Sequence, residues 1–150
     1  MKKNDDNYKD SDDLELYMTL IENSTMTFSP TRTLEFRIIK PVDFTEKEIK
    51  YSKGILLFEN IVFSKLALQN ETTEYPEFYR SAVLTDSDLL DETKNNLQKM
   101  RKTISEDLKH YYLYIDQGIF ESEVHIICEK HKLILEGEQK SLSMFEGFDE

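Results

Sequence analysis

The chain is short of the residues on which several kinds of chemistry depend. Its 150 residues include one cysteine, three histidines, three prolines, four glycines and no tryptophan. One cysteine cannot form an internal disulfide, so nothing calls for an oxidising compartment. There is no glycine-rich phosphate loop, no Gly-x-Ser-x-Gly elbow and no His-Glu-x-x-His motif. The common sequence marks of nucleotide binding, serine hydrolysis and zinc proteolysis are therefore missing. Positive charge is also scarce: 19 Lys and Arg stand against 30 Asp and Glu, a net charge of −11. Such a surface is repelled by phosphate, which argues against nucleic acid and anionic membranes as partners and favours a basic protein. The longest apolar-rich stretch, GILLFENIVF at 54–63, is too short and too polar to span a bilayer. Two N-terminal lysines give way to acidic residues with no apolar run. No signal peptide is expected, and the cytoplasm is the expected compartment.

What remains is enough for one domain. Nine phenylalanines and eight tyrosines can anchor a core. MKKNDDNYKDSDD, residues 1–13, has no aliphatic residue beyond Met1 and reads as a disordered acidic arm. Residues 14–137 read as a single domain, and 138–150 as a flexible acidic-aromatic tail. Met144, Phe145 and Phe148 within that tail offer a short docking peptide as the alternative.

The dominant periodicity is that of strands. Residues 15–28 alternate until a polar break at ENS, which predicts two short strands around a bend. RTLEFRIIK, 32–40, is the cleanest strand, with Leu34, Phe36 and Ile38 on one face, and Pro41 is expected to stop it. VDFTEKEIKYSK reads as a polar connection. Residues 54–69 are apolar on both parities, as in a strand buried on both faces; Glu59-Asn60 marks a hairpin turn or a bulge. NETTEYPEFYRSAV, 70–83, reads as a loop. A helix is expected over 88–108, with Thr85 or Ser87 as its cap and Leu90, Leu97, Met100, Ile104 and Leu108 as its apolar stripe. A hairpin should follow, turning at Asp116-Gln117-Gly118. The expected fold is α+β: a twisted antiparallel sheet of about five to seven strands carrying the long helix on one face.

HIICEKH, 125–131, holds the one constellation that invites a chemical reading. As a strand it puts Ser122, Val124, Ile126 and Cys128 on the core face and His125 on the other, among Glu121, Glu123 and Glu129, with His131 beyond. The two histidines would then lie about 20 Å apart at strand rise, too far to share a metal. A helix would bring them closer, but the β-branched cluster favours strand. Glu121 and Glu123 share a face, as hydrolytic carboxylate pairs do, although such pairs arise by chance among so many acids. No catalytic residue, metal or cofactor is expected, and the chain reads as a non-enzyme.

Candidate partner-binding residues are Tyr75, Phe78, Tyr79 and Arg80 in the 70–83 loop, and Tyr112, Tyr114, Glu121 and Glu123 on a strand face. Tyrosine and arginine are the types that dominate binding hot spots, and carboxylates beside them suit a lysine- or arginine-rich surface. The bland alternative is that the loop aromatics cover one end of the core. GILLFENIVF and the later LYIDQGIFESEVHI resemble small acidic β-rich bacterial proteins of the toxin-immunity type, over these two strand regions. That resemblance implies a single domain that blocks a basic toxin, often a nuclease. Two other functions fit the chain: a small ligand-binding domain or enzyme with a pocket under the 70–83 loop, and a structural or oligomerisation role.

Overall fold

A computed structural model of the chain describes residues 14–29, 31–44, 47–67, 76–100, 102–117, 120–136 and 140–142. The expected arm at 1–13 and most of the expected tail lie outside the described residues. The elements run β1 (Thr19–Thr27), β2 (Thr33–Phe44), β3 (Ile49–Glu59), β4 (Phe63–Ala67), β5 (Glu77–Leu84), α1 (Asp88–Lys99), β6 (Lys109–Gln117), β7 (Phe120–Cys128), β8 (Lys130–Leu135) and β9 (Lys140–Leu142). One nine-stranded sheet has the order β4-β7-β6-β5-β1-β2-β3-β8, and β9 pairs with β3 beside it. Its pairings are antiparallel.

The two ends of this sheet meet. β3 ends at Glu59, the chain bends through Asn60 in a left-handed conformation (φ 56°), and β4 begins at Phe63. Asparagine tolerates that conformation better than most residues. Across from it, only Glu129 separates β7 from β8. The ladder that pairs Glu59 with Lys130 thus resumes, around the corner, as the ladder that pairs Phe63 with Ile127. Two bent strands run side by side, and β1, β2, β5 and β6 complete a closed, barrel-like wall. Closure hides the edges that an open sheet would present for aggregation.

The inside of this wall is filled by aromatic rings. Phe36 stands edge-on to Phe58 (centroids 6.4 Å apart) and to Phe78 (5.4 Å), and Phe58 edge-on to Tyr111 (5.1 Å). Leu34, Ile38, Leu56, Leu113, Val124, Ile126 and Cys128 close around them, fully buried. Each large apolar side chain so buried contributes about 1.5–3 kcal/mol. A smaller cluster lies outside the wall, where Leu90 and Leu97 of α1 pack with Ile104, Leu108, Phe63 and Ile127.

Several expectations need correction, each for a local reason. The sheet has more strands than the five to seven anticipated, and the helix is short. α1 spans 12 residues and ends at Lys99, leaving Met100 exposed. Ile104 and Leu108 reach the same apolar cluster from a non-helical return, where Ser105 Oγ accepts from Asp107 N (3.1 Å). Side chains of this kind compete with the helix for backbone partners. The 70–83 segment is strand from Glu77 onward, not loop. A register shift between Phe78 and Arg80 destroys the period of two there, so the pattern hides the strand. A second shift, between Ile21 and Asn23, lets β1 continue through the polar break. VDFTEKEIKYSK is not a bare connection: its ends belong to β2 and β3, which pair as a hairpin. Pro41 does not stop β2. It sits beyond the last β1 pair at Ile39, next to an irregularity in the β3 ladder, where its missing donor is tolerated. Lys140–Leu142, inside the expected tail, pairs with Ile49–Tyr51.

Gly54 of β3 sits with β8 packed tightly against it. A Cβ there would lie 2.5 Å from the Ile134 carbonyl oxygen and 2.8 Å from Leu135 Cδ2. Gly54→Val is expected to push β8 away and destabilise the protein by about 1–3 kcal/mol. Hydrogen exchange should locate the loss of protection in β8, and unchanged protection there would show that the close approach is not a constraint.

Candidate functional site

Most of the candidate binding residues converge on the outer face of β5, β6 and β7. Tyr112 and Tyr114 of β6 pair with His125 and Glu123 of β7, so all four point away from the core. The β5 bulge turns both Tyr79 and Arg80 to the same side. The result is a strip of rings: Tyr17 edge-on to Tyr79 (5.9 Å), Tyr79 edge-on to Tyr114 (5.8 Å), and the Arg80 guanidinium over Tyr112 (5.9 Å). Tyr17 and Tyr79 are 60% and 51% exposed, while Tyr112 is buried, with the Arg80 guanidinium over its ring, and its hydroxyl donates to Glu123 Oε1 (3.3 Å). Carboxylates frame the strip. Glu77 pairs with Asp116 across the ladder, and burial together with the Asp116 charge holds the Glu77 carboxyl above the usual carboxylate range.

Of the other three candidates, one is placed on the opposite face. Phe78 is not on this face; the bulge leaves it pointing inward, fully buried against Phe36. Tyr75 lies outside the described residues. Glu121 occupies the β7 position opposite Asp116, and its side chain lies outside the described residues. Tyr17, which sequence reasoning missed, joins the strip because Met18 N donates to Phe78 O (3.1 Å) and ties its segment to β5.

A hydrogen-bonded chain runs from the strip to the helix. Glu123 Oε2 lies 3.3 Å from His125 Nε2, His125 Nδ1 lies 2.8 Å from His110 Nε2, and His110 Nδ1 lies 2.8 Å from Ser87 Oγ. One proton arrangement satisfies every member: Ser87 donates to His110, His110 to His125, and His125 to the carboxylate, with both imidazoles neutral. Ser87 is also the helix cap, its Oγ accepting from Leu90 N (3.0 Å). It is 2% exposed, as His110 is 3%, so this serine does not meet a substrate as a nucleophile would. Neither Ser87 nor His110 was a candidate on sequence grounds. The register was the missing signal: pairing Tyr112 with His125 sets His110 diagonally across from it.

His131 departs from the expected placement among the glutamates. The corner at Glu129 changes the strand's direction, and His131 pairs with Phe58 and sits edge-on to Tyr111, 5.2 Å between centroids. Its Nδ1 lies 3.2 Å from the Tyr111 hydroxyl, and burial, then the Lys109 charge, keeps its pKa below the ordinary imidazole value. Cys128 is fully buried, its thiol donating to Lys130 O (3.4 Å), and burial pushes its pKa up to about 12. Such a thiol is a small hydrophobe and not a nucleophile. Among the described residues no group of three His, Cys, Asp or Glu could hold a metal ion, and no helix is long and apolar enough to cross a membrane.

Comparison with known protein families, with curated proteins and with solved structures finds no match.

Two predictions follow from these contacts. Ser87→Ala removes the helix cap and the hydroxyl bonded to the buried His110 ring, and should cost about 2–3 kcal/mol in urea unfolding. His125→Gln, nearer the surface, should cost less; equal losses would contradict a chain anchored at Ser87. Alkali should also destabilise the fold. Cys128 and Tyr111 both titrate near 12 when folded, against 9.0 and 10.0 for the free groups, with burial the main cause for each. The unfolded chain therefore loses protons first, and stability should fall as pH rises from about 9 towards 12. Urea midpoints across that window test this, and Tyr111→Phe should flatten the upper part of the decline.

Proposed function

We propose that the protein is a non-catalytic protein-binding module whose docking face is the tyrosine strip on β5, β6 and β7. The observation that carries this reading is the convergence of Tyr17, Tyr79, Tyr114 and Arg80 with Glu77, Asp116 and Glu123 on one outer face. Tyrosines bring a large contact area with few rotatable bonds, and they are already braced edge-on against one another, so little entropy is lost on docking. The carboxylates supply the opposite need. Glu77 and Asp116 repel each other, and an incoming ammonium or guanidinium group relieves that repulsion. Together with a net charge of −11, this favours a basic partner steered in by long-range attraction.

The sharpest version is an immunity protein that neutralises a basic bacterial toxin in the cytoplasm, as the resemblance of GILLFENIVF and LYIDQGIFESEVHI implies. A domain that only has to cover a partner's working surface needs a rigid scaffold and a preformed face. The closed wall and its braced rings meet that requirement.

The test is titration with a lysine- and arginine-rich peptide and with any basic protein encoded beside this chain. Binding should perturb the Tyr79 and Tyr114 signals and weaken steeply with salt. Tyr79→Ala and Tyr114→Ala should each reduce affinity by about tenfold or more, as hot-spot truncations do, without altering the free energy of urea unfolding by more than about 1 kcal/mol. Absence of binding to both at low salt, or binding that ignores these substitutions, would overturn the proposal.

A further inference from the structure

A separate cavity opens near the C-terminal end of β5, at Val83. It has a volume of about 530 Å³. Leu14 and Val83 form its apolar lining, together with the ring of Tyr111. Its polar lining comes from Lys109, Lys130 and His131, with Glu15 as the one carboxylate. In a chain with 30 acids and 19 basic residues, a concavity with two ammonium groups and one carboxylate reverses the local sign of charge.

The bonding around this cavity leaves donors available. Lys109 Nζ contacts the Glu129 backbone carbonyl at 3.4 Å, a neutral acceptor that does not cancel its charge. Lys130 lies near Glu59, but that carboxylate is held by Lys132 at 2.9 Å, which compensates it from the β8 side. Tyr111 keeps its proton to about pH 12, and its hydroxyl lies 3.2 Å from His131 Nδ1. Donation from the phenol to Nδ1 places the imidazole proton on Nε2, a further donor in a residue that lines the cavity. Donors on one side and an apolar lining on the other match a molecule with the complementary division.

The geometry points to a binding site for a small organic acid, with its carboxylate held by Lys109 and Lys130 and its apolar body against Leu14, Val83 and the Tyr111 ring. Charge-assisted hydrogen bonds to the two ammonium groups fix the carboxylate end. The apolar end adds affinity in proportion to the area it removes from water. This site lies on different residues from the tyrosine strip, and its occupancy does not require the protein-docking reading to hold.

The experiment is a titration of the full chain with hexanoate, followed by resonances of Val83, Tyr111 and His131. Hexylammonium and inorganic phosphate serve as the comparison probes. Hexanoate should saturate at millimolar concentration, hexylammonium should leave the cavity signals unmoved, and phosphate, having no apolar body, should bind more weakly than hexanoate. Lys130→Met and Lys109→Met should each weaken hexanoate by about tenfold, the scale of one charge-assisted bond. Glu15→Gln should tighten it. Thermal unfolding of each variant separates lost binding from lost folding. Failure of hexanoate to bind, equal binding of hexylammonium, or indifference of a folded Lys130→Met variant would overturn the assignment. None of these readouts involves Tyr79 or Tyr114, so failure here and failure of the docking face are distinguishable.

Discussion

Val62 donates its amide proton to the Ile127 carbonyl oxygen (2.9 Å) at the corner where β3 gives way to β4 and β7 to β8. That contact keeps two ladders in register around a bend. Those two ladders, Gly54–Glu59 with Lys130–Leu135 and Phe63–Ala67 with Glu123–Ile127, close the wall and make a single interior possible. Phe36, Phe58, Phe78 and Tyr111 come from β2, β3, β5 and β6, and they touch only because the wall is curved. The closed core in turn fixes the outer face. Every second residue of β6 and β7 is obliged to point outward, and the strip of tyrosines and carboxylates is the sum of those obligations.

Irregularities in the strands then refine what the closed wall presents. The shift between Phe78 and Arg80 puts two consecutive side chains, Tyr79 and Arg80, on the outside, where strict alternation would have turned one of them in. The shift between Ile21 and Asn23 has the same effect in β1, placing its polar middle in solvent while Ile21 stays buried. Bulges of this sort re-aim side chains at the cost of a few ladder bonds. Here one lies directly beneath the face on which the proposed contact depends. The helix contributes by a different route: its cap, Ser87, is tied through His110 and His125 to Glu123, so the orientation of a surface carboxylate is set by a buried hydroxyl.

Strand identity was legible wherever the period of two survived. Leu34, Phe36 and Ile38 face the core as their spacing requires, and so do Val124, Ile126 and Cys128. The outward placement of Tyr112, Tyr114, Glu123 and His125 was legible for the same reason. Legibility failed where geometry broke the period. The bulge in β5 made a strand look like a loop, and the bend at Asn60 made two strands look like one stretch with a turn. The helix was overextended because Ile104 and Leu108 return to the patch that Leu97 occupies, and apolar spacing alone does not distinguish a helix that continues from a chain that comes back. The Ser87–His110–His125 chain was invisible because it needs the β6–β7 register, which no residue type announces. The lysine-lined cavity depends on closure of the whole wall, the property furthest from any local pattern.

The bent strands also shape how the chain reaches this state. The β2–β3 and β6–β7 hairpins join residues close in sequence, but the closing ladder pairs Gly54 with Leu135 and Phe63 with Ile127. Those contacts demand that a long loop be drawn together before any reward is felt. Assembly is therefore expected to proceed from two local meanders that form early to the two junctions between them, β1 with β5 and this closing seam, on the millisecond-to-second scale of topologies rich in distant pairings. Until the seam forms, both meanders carry exposed phenylalanines, and the interval before closure is the period in which this chain is most exposed to self-association.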